Sequence, residues 1–236
     1  MGSVGTSRAR ADPLILSRWT PTEKIRGGRT LSVFPSCREK SLPLAGADLV
    51  SELMSKPAGA LEELHREHEV AERLLERLVE LGDRMKSGER VDAKAVRFGV
   101  GLLDAYLHRV HASQMDRELR PEAQGVAMPG CFEHLDRMRT NHEQMRARAR
   151  ELLALIGRWA SGDESCRGAA GDKLIDLASR DHDAATYEEA YPLICLESAL
   201  PEDAENRLSN RFSDHAGTRA ALEANIERFL SETVAI

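Results

Sequence analysis

Apolar positions recur at spacings of three and four along four stretches of this 236-residue chain, and each stretch predicts an amphipathic helix. The first is expected from about Ala58 to Lys86, ending at Ser87-Gly88, with the stripe Leu61, Leu64, His68, Ala71, Leu75, Leu78. The second should open with Asp92 as N-cap and stop before Pro121, with the stripe Val96, Val100, Leu103, Leu107, His111, Met115. The third runs from about Cys131 to Trp159 through Leu135, Met138, His142, Met145, Ala149, Leu152 and Ile156. The fourth is expected from about Asp172 to Leu200 through Leu174, Ala178, His182, Ala185, Glu189, Leu193 and Leu196, kinked at Pro192. A Pro- and Gly-containing loop over 121–130 and the turn Ser161-Gly162-Asp163 reverse the chain. The pattern predicts an all-α protein, an up-down four-helix bundle over residues 57–200.

The flanks differ. Residues 1–56 are basic and acid-poor, and Gly, Ser, Thr and Pro interrupt any apolar period, which predicts a disordered arm. That arm also fits a transit peptide, a start codon misassigned ahead of Met54, or, through the opening MGSVGT, an N-myristoylation signal. Residues 201–236 carry Leu222, Ile226, Phe229 and Leu230 at helical spacing. They are expected to form a short helical extension that packs on the bundle or serves as a homodimer contact.

Composition narrows the function. A net charge of −6 argues against a nucleic-acid partner bound through a basic surface. No apolar run approaches the ~18 residues of a membrane span. Cys37, Cys131, Cys166 and Cys195 show neither a C-x-x-C pair nor zinc-ligand spacing, so free thiols and a cytoplasmic setting are the expectation, with a disulfide between Cys131 and Cys195, near the same end of the bundle, as the alternative. Nucleotide-binding, nucleophile-elbow and zinc-protease motifs are absent.

The histidines change the picture more than the charge does. His111 through Pro121 (HASQMDRELRP) and His182 through Pro192 (HDAATYEEAYP) share His, Glu seven positions on (Glu118, Glu189) and Pro ten positions on. Glu67-His68 and Asn141-His142 precede them by similar intervals, so each helix is expected to point one His inward at similar height. Four buried imidazoles cannot easily satisfy one another, whereas a transition-metal ion can bind them all. Met115 and Thr186 lie one turn beyond the second and fourth His, Glu118 and Glu189 two turns beyond, and His65 and Met138 join from the other helices. Glu72, His108 and Arg146 fall on the opposite side of the His layer, and Tyr187 near it.

With that spacing, residues 58–200 resemble the hemerythrin-like, or HHE, cation-binding family, whose second and fourth helices typically read H-x-x-x-E-E-x-x-L-F-P. The resemblance implies non-haem iron, one or two ions per chain, and handling of dioxygen, peroxide or nitric oxide, or iron sensing. The chain departs from the pattern where the family's carboxylate ligands fall, since Met115 and Thr186 stand there. Asp116, Glu118, Glu189 and His65 are the residues expected to complete a site built on His68, His111, His142 and His182. The alternatives are a single-metal site for iron, zinc or another divalent ion, a haem-binding bundle using His and Met, and a metal-free interaction module. Open coordination positions would also suit an oxidase, an oxygenase or a peroxide-dismuting enzyme.

Overall fold

A computed structural model of the chain describes residues 59–126 and 129–232, which are helical apart from short turns, with no strand among them. The first long helix, α1 (Ala60–Lys86), ends where expected, with Gly88 at φ 83°, a left-handed conformation that glycine adopts without strain. The second opens at Asp92, whose carboxylate accepts from the Lys94 N–H at 2.9 Å. It continues through α2 (Ala93–Leu103), the π-helical segment π1 (Asp104–His111), α3 (Ala112–Gln114), π2 (Met115–Leu119) and α4 (Arg120–Val126). The third is α5 (Pro129–Ala160). After a 3-10 turn (Glu164–Cys166), the fourth comprises α6 (Arg167–Glu188), π3 (Glu189–Leu193) and α7 (Ile194–Ala199). The tail adds α8 (Glu202–Ser213) and α9 (Ala216–Glu232).

Pro121 does not end the second helix. A proline removes an N–H and crowds the carbonyl four residues back. Here π2 ends two residues before Pro121, and π3 contains Pro192; the wider π turns take up the misfit. Most of the expected 121–130 loop is therefore helical, and residues 127–128 lie outside the described part. So does the arm 1–56, with Met54, Cys37 and the acylation pattern.

Helix α1 packs on α2 and α6, and α5 packs on the same two, so the four form a closed bundle. The α1–α6 contact is backbone to backbone. A Cβ on Gly82 would lie 3.1 Å from the Gly171 carbonyl oxygen, and one on Gly171 would lie 3.0 Å from that of Gly82. Every apolar and His position of the first three predicted stripes is buried. The fourth departs: His182 is exposed, Ala185 and Glu189 are half-buried, and Asp181 and Glu188 are buried instead. The inward face of the fourth helix follows 174, 178, 181, 185 and 188 in α6 and 192 in π3, so it steps by three after Ala178 rather than by four.

Two apolar clusters fill the bundle. One holds Leu74, Leu78, Leu103, Leu152, Ile156 and Leu174 and takes Ile226 and Phe229 from α9. The other holds Leu64, Met115, Leu119, Met138 and Leu193 and takes Leu208 and Phe212 from α8. The tail's apolar face is thus covered by its own bundle, as a packing element. Glu67, His68, His111, Gln114, His142 and Glu188 form a buried polar layer between the clusters.

Cys131 and Cys195 are joined in a disulfide, with Cα atoms 6.1 Å apart, which ties the start of α5 to α7. The expectation of free thiols fails for this pair, and with it that ground for a reducing compartment; Cys166 is free and buried. Among the described residues no helix is long and apolar enough to cross a membrane.

Candidate metal centre

The polar layer is built by register. On α1, Glu67 and His68 are both buried; His111 closes π1, His142 sits mid-way along α5, and Glu188 ends α6 immediately before π3. Glu188 Oε2 lies 3.2 Å from His68 Nε2 and 3.0 Å from His111 Nε2, while Oε1 lies 2.9 Å from His142 Nε2. The Nε2 atoms of His68 and His111 are 3.2 Å apart. Three imidazoles thus present the same ring atom to one carboxylate.

A carboxylate stands behind each imidazole. Glu189 Oε1 is 2.6 Å from His68 Nδ1, and Glu67 Oε2 is 2.8 Å from His111 Nδ1. Asp116 Oδ2 is 3.9 Å from His142 Nδ1, beyond direct hydrogen bonding. Glu67 is held in turn by Arg219 of α9, whose Nη1 donates to Oε1 at 3.2 Å and whose Nε donates to Glu63 at 2.6 Å. Buried Gln114 bridges the two in the amide orientation that satisfies both, with its nitrogen 3.0 Å from Glu67 and its oxygen 3.0 Å from Arg219. An outer carboxylate fixes an imidazole's tautomer and raises its basicity as a ligand.

These residues fit a transition-metal ion. Two metal–ligand bonds of about 2.1 Å at a right angle place their donors about 3.0 Å apart, the spacing seen among His68, His111 and Glu188 Oε2, while His142 approaches from the other carboxylate oxygen. Without a cation, protons take its place. Burial by itself lowers the His68 pKa, but the Glu188 and Glu189 hydrogen bonds outweigh it and raise the value to about 9. Burial of His142 is likewise outweighed, by the charge of Glu188 and the nearby Asp116, and its pKa rises to about 10. Burial pushes Glu188 up, yet His142, His111 and His68 hold it well below the usual carboxylate range.

The other expected ligands lie elsewhere. His182 lines a surface cleft of about 240 Å³ with His65, Glu69, Glu72, Thr186 and Glu189, on the outer side of His68. His65 bridges Glu189 (2.5 Å) and Glu197 (2.8 Å). Glu118 accepts from His215 of the tail at 2.9 Å, away from the donors. Met115 fills the apolar cluster. Tyr187 turns to His134 (2.6 Å) and Arg137 rather than to the site, and neither His134 nor His215 is a free surface His. Of the eight expected ligands, the structure brings together His68, His111 and His142, with Glu189 and Asp116 behind them.

Sequence reasoning missed Glu188, Asp181 and Arg219. The alternation of three and four seen in the other helices, carried through α6, would have selected Asp181 and Glu188. No comparable signal marks Arg219. Asp181 pairs with buried His108, Oδ1 to Nε2 at 3.0 Å, and Asp104 lies 3.6 Å from its Nδ1. Burial lowers the His108 pKa, but the two aspartates outweigh it and lift the value to about 8. His108, Asp181 and the three imidazoles line a small cavity of about 20 Å³, together with Leu107, Met145 and Ala184.

Comparison with curated proteins gave no significant match, and comparison with solved structures gave none either. Among protein families, the model of the hemerythrin HHE cation-binding domain matches residues 59–194, which contain the three imidazoles and Glu188. With more than half of its length matched, the chain belongs to the hemerythrin HHE cation-binding domain family.

Proposed function

We propose that this protein holds a single non-haem iron ion through His68, His111, His142 and Glu188, and that it binds a diatomic ligand or peroxide there. The observation that carries this reading is the convergence of three Nε2 atoms on one buried carboxylate, each 2.9–3.2 Å from one of its oxygens, with the donors of His68, His111 and Glu188 all within 4.8 Å of one another. One inner carboxylate is few for two metal ions, and imidazole with carboxylate suits iron. The bound ion would supply Lewis acidity and redox chemistry.

The protein's own part is positional. Glu67 and Glu189 take up the outer N–H of His111 and His68, which leaves each Nε2 facing inward. A cavity of about 20 Å³ admits a ligand of one or two heavy atoms and no organic substrate. Its size also speaks against a haem between these helices. Leu107 and Met145 form its apolar wall.

The test is metal content with a visible spectrum on anaerobically purified protein, repeated after air, peroxide and nitric oxide. About one iron per chain, with bands that change on adding these ligands and no Soret peak, is the expected result. Two irons would overturn the single-ion reading. A Soret band would move it to haem, and folded protein without metal would leave an interaction module.

A further inference from the structure

A third concavity, which holds none of the four inner donors, lies between the second helix and α5. It is a groove of about 660 Å³ whose charged lining is Arg109, Arg117, Arg146, Arg150, Asp104 and Asp116. The volume falls within the ~300–1,000 Å³ usual for small-molecule sites. Four guanidiniums against two carboxylates leave an excess of two positive charges, in a chain whose net charge is −6.

The carboxylates do not neutralise the groove evenly. Asp104 is engaged by Arg109, whose Nε donates at 2.9 Å, and lies beside His108; Asp116 lies behind His142. Arg146 is fixed by donating from Nε to the His108 carbonyl oxygen at 3.0 Å. Arg117 and Arg150 have no hydrogen-bond or ion-pair partner among the described residues, although both line the groove. Small residues at Ala112 and Ser113 keep the floor open between them. Planar guanidinium forks match the oxygens of a tetrahedral anion, and a dianion would balance the excess charge.

We infer that this groove binds a phosphoryl dianion carried by a free small molecule. The ligand is free rather than membrane-held because the exposed large apolar side chains among the described residues, Phe98, Tyr191 and Ile194, do not line the groove. The bound anion lies beside Asp116, one residue removed from the donor His142.

Inorganic phosphate is the probe, titrated calorimetrically at constant ionic strength into the full chain, metal-free and iron-loaded, with chloride as control. Saturable binding with Kd of about 0.1–1 mM is expected in both forms. It should weaken at least about tenfold in R117Q/R150Q, whose exposed side chains leave the helices and the metal content unchanged. Absence of saturation, or equal affinity in the double variant, overturns the inference. A third arm uses phosphatidylcholine vesicles containing phosphatidic acid. Vesicle binding that needs Arg117 and Arg150, without affinity for free phosphate, overturns the small-molecule assignment. Because the metal-free form is tested too, failure of the iron reading would not be mistaken for failure of this one.

Discussion

Glu188 is the only carboxylate among the four inner donors, and His182 is exposed outside them. Glu188→Gln should therefore lower bound metal at least about tenfold, whereas His182→Ala should leave it unchanged. Metal analysis of the two purified variants decides, and loss of metal in His182→Ala would sink this assignment of the helix-four face. Proton counting gives a second check. In metal-free protein His68 and His142 keep their protons up to about pH 9 and about pH 10. Metal uptake at pH 7 should then release about two protons, and apparent affinity should rise with pH until those values are passed. The ion pairs have the opposite sign for metal-free stability. Their contribution is complete below the unfolded value of about 6.5 and is lost as pH rises through 9 to 10. Calorimetry in buffers of different ionisation enthalpy counts the protons; a count of zero would mean the imidazoles are neutral before the metal arrives.

At the scale of elements, α9 matters more than a packing accessory would. Arg219 is buried and braces Glu63 and Glu67, so the tail reaches the carboxylate behind His111. Arg219→Met takes the guanidinium from fully buried Glu67 and leaves Glu63 with Arg66 alone. The expected outcome is a loss of about 3–5 kcal/mol in urea unfolding, with metal affinity down about tenfold. Unchanged affinity with lowered stability would make Arg219 a structural strut alone. The π segments belong to the same scale. They carry the second and fourth helices through or past their prolines, and two of them adjoin His111 and Glu188. An apolar period shows that a helix continues, but it carries no mark of where one extra residue enters the turn. Hence the first three stripes were legible in the sequence, while the end of the second helix at Pro121 was misread.

For the whole molecule, the Cys131–Cys195 bond spans a sequence separation of 64 and encloses the α5–α6 hairpin. Closing a loop of that length restricts the unfolded chain by on the order of 4 kcal/mol. Reduction, or Cys131→Ser with Cys195→Ser, should lower the thermal midpoint by several degrees, up to about 10 °C. The metal layer lies away from this bond, so metal content should stay the same. Scanning calorimetry with and without reductant measures the first, and metal analysis of the same samples measures the second. An unchanged midpoint would mean that the native packing, without the crosslink, already sets the stability.

The sequence alone indicated four amphipathic helices, a helical tail and four inward imidazoles, of which three are buried and His182 is exposed. These follow from apolar periodicity, which depends only on neighbours along one helix. Which face of α6 turns inward was not determined in the same way. Between Ala178 and Leu193 polar neighbours such as Asp181-His182 and Glu188-Glu189 compete for one inward direction, with few large apolar side chains to choose between them. Packing of α6 against α1, where Gly82 and Gly171 bring the backbones together, accompanies the choice of Asp181 and Glu188. Arg219, the disulfide partners and the arginine groove also come from separate helices. Their association depends on distances across the bundle, and only the tertiary structure fixes those.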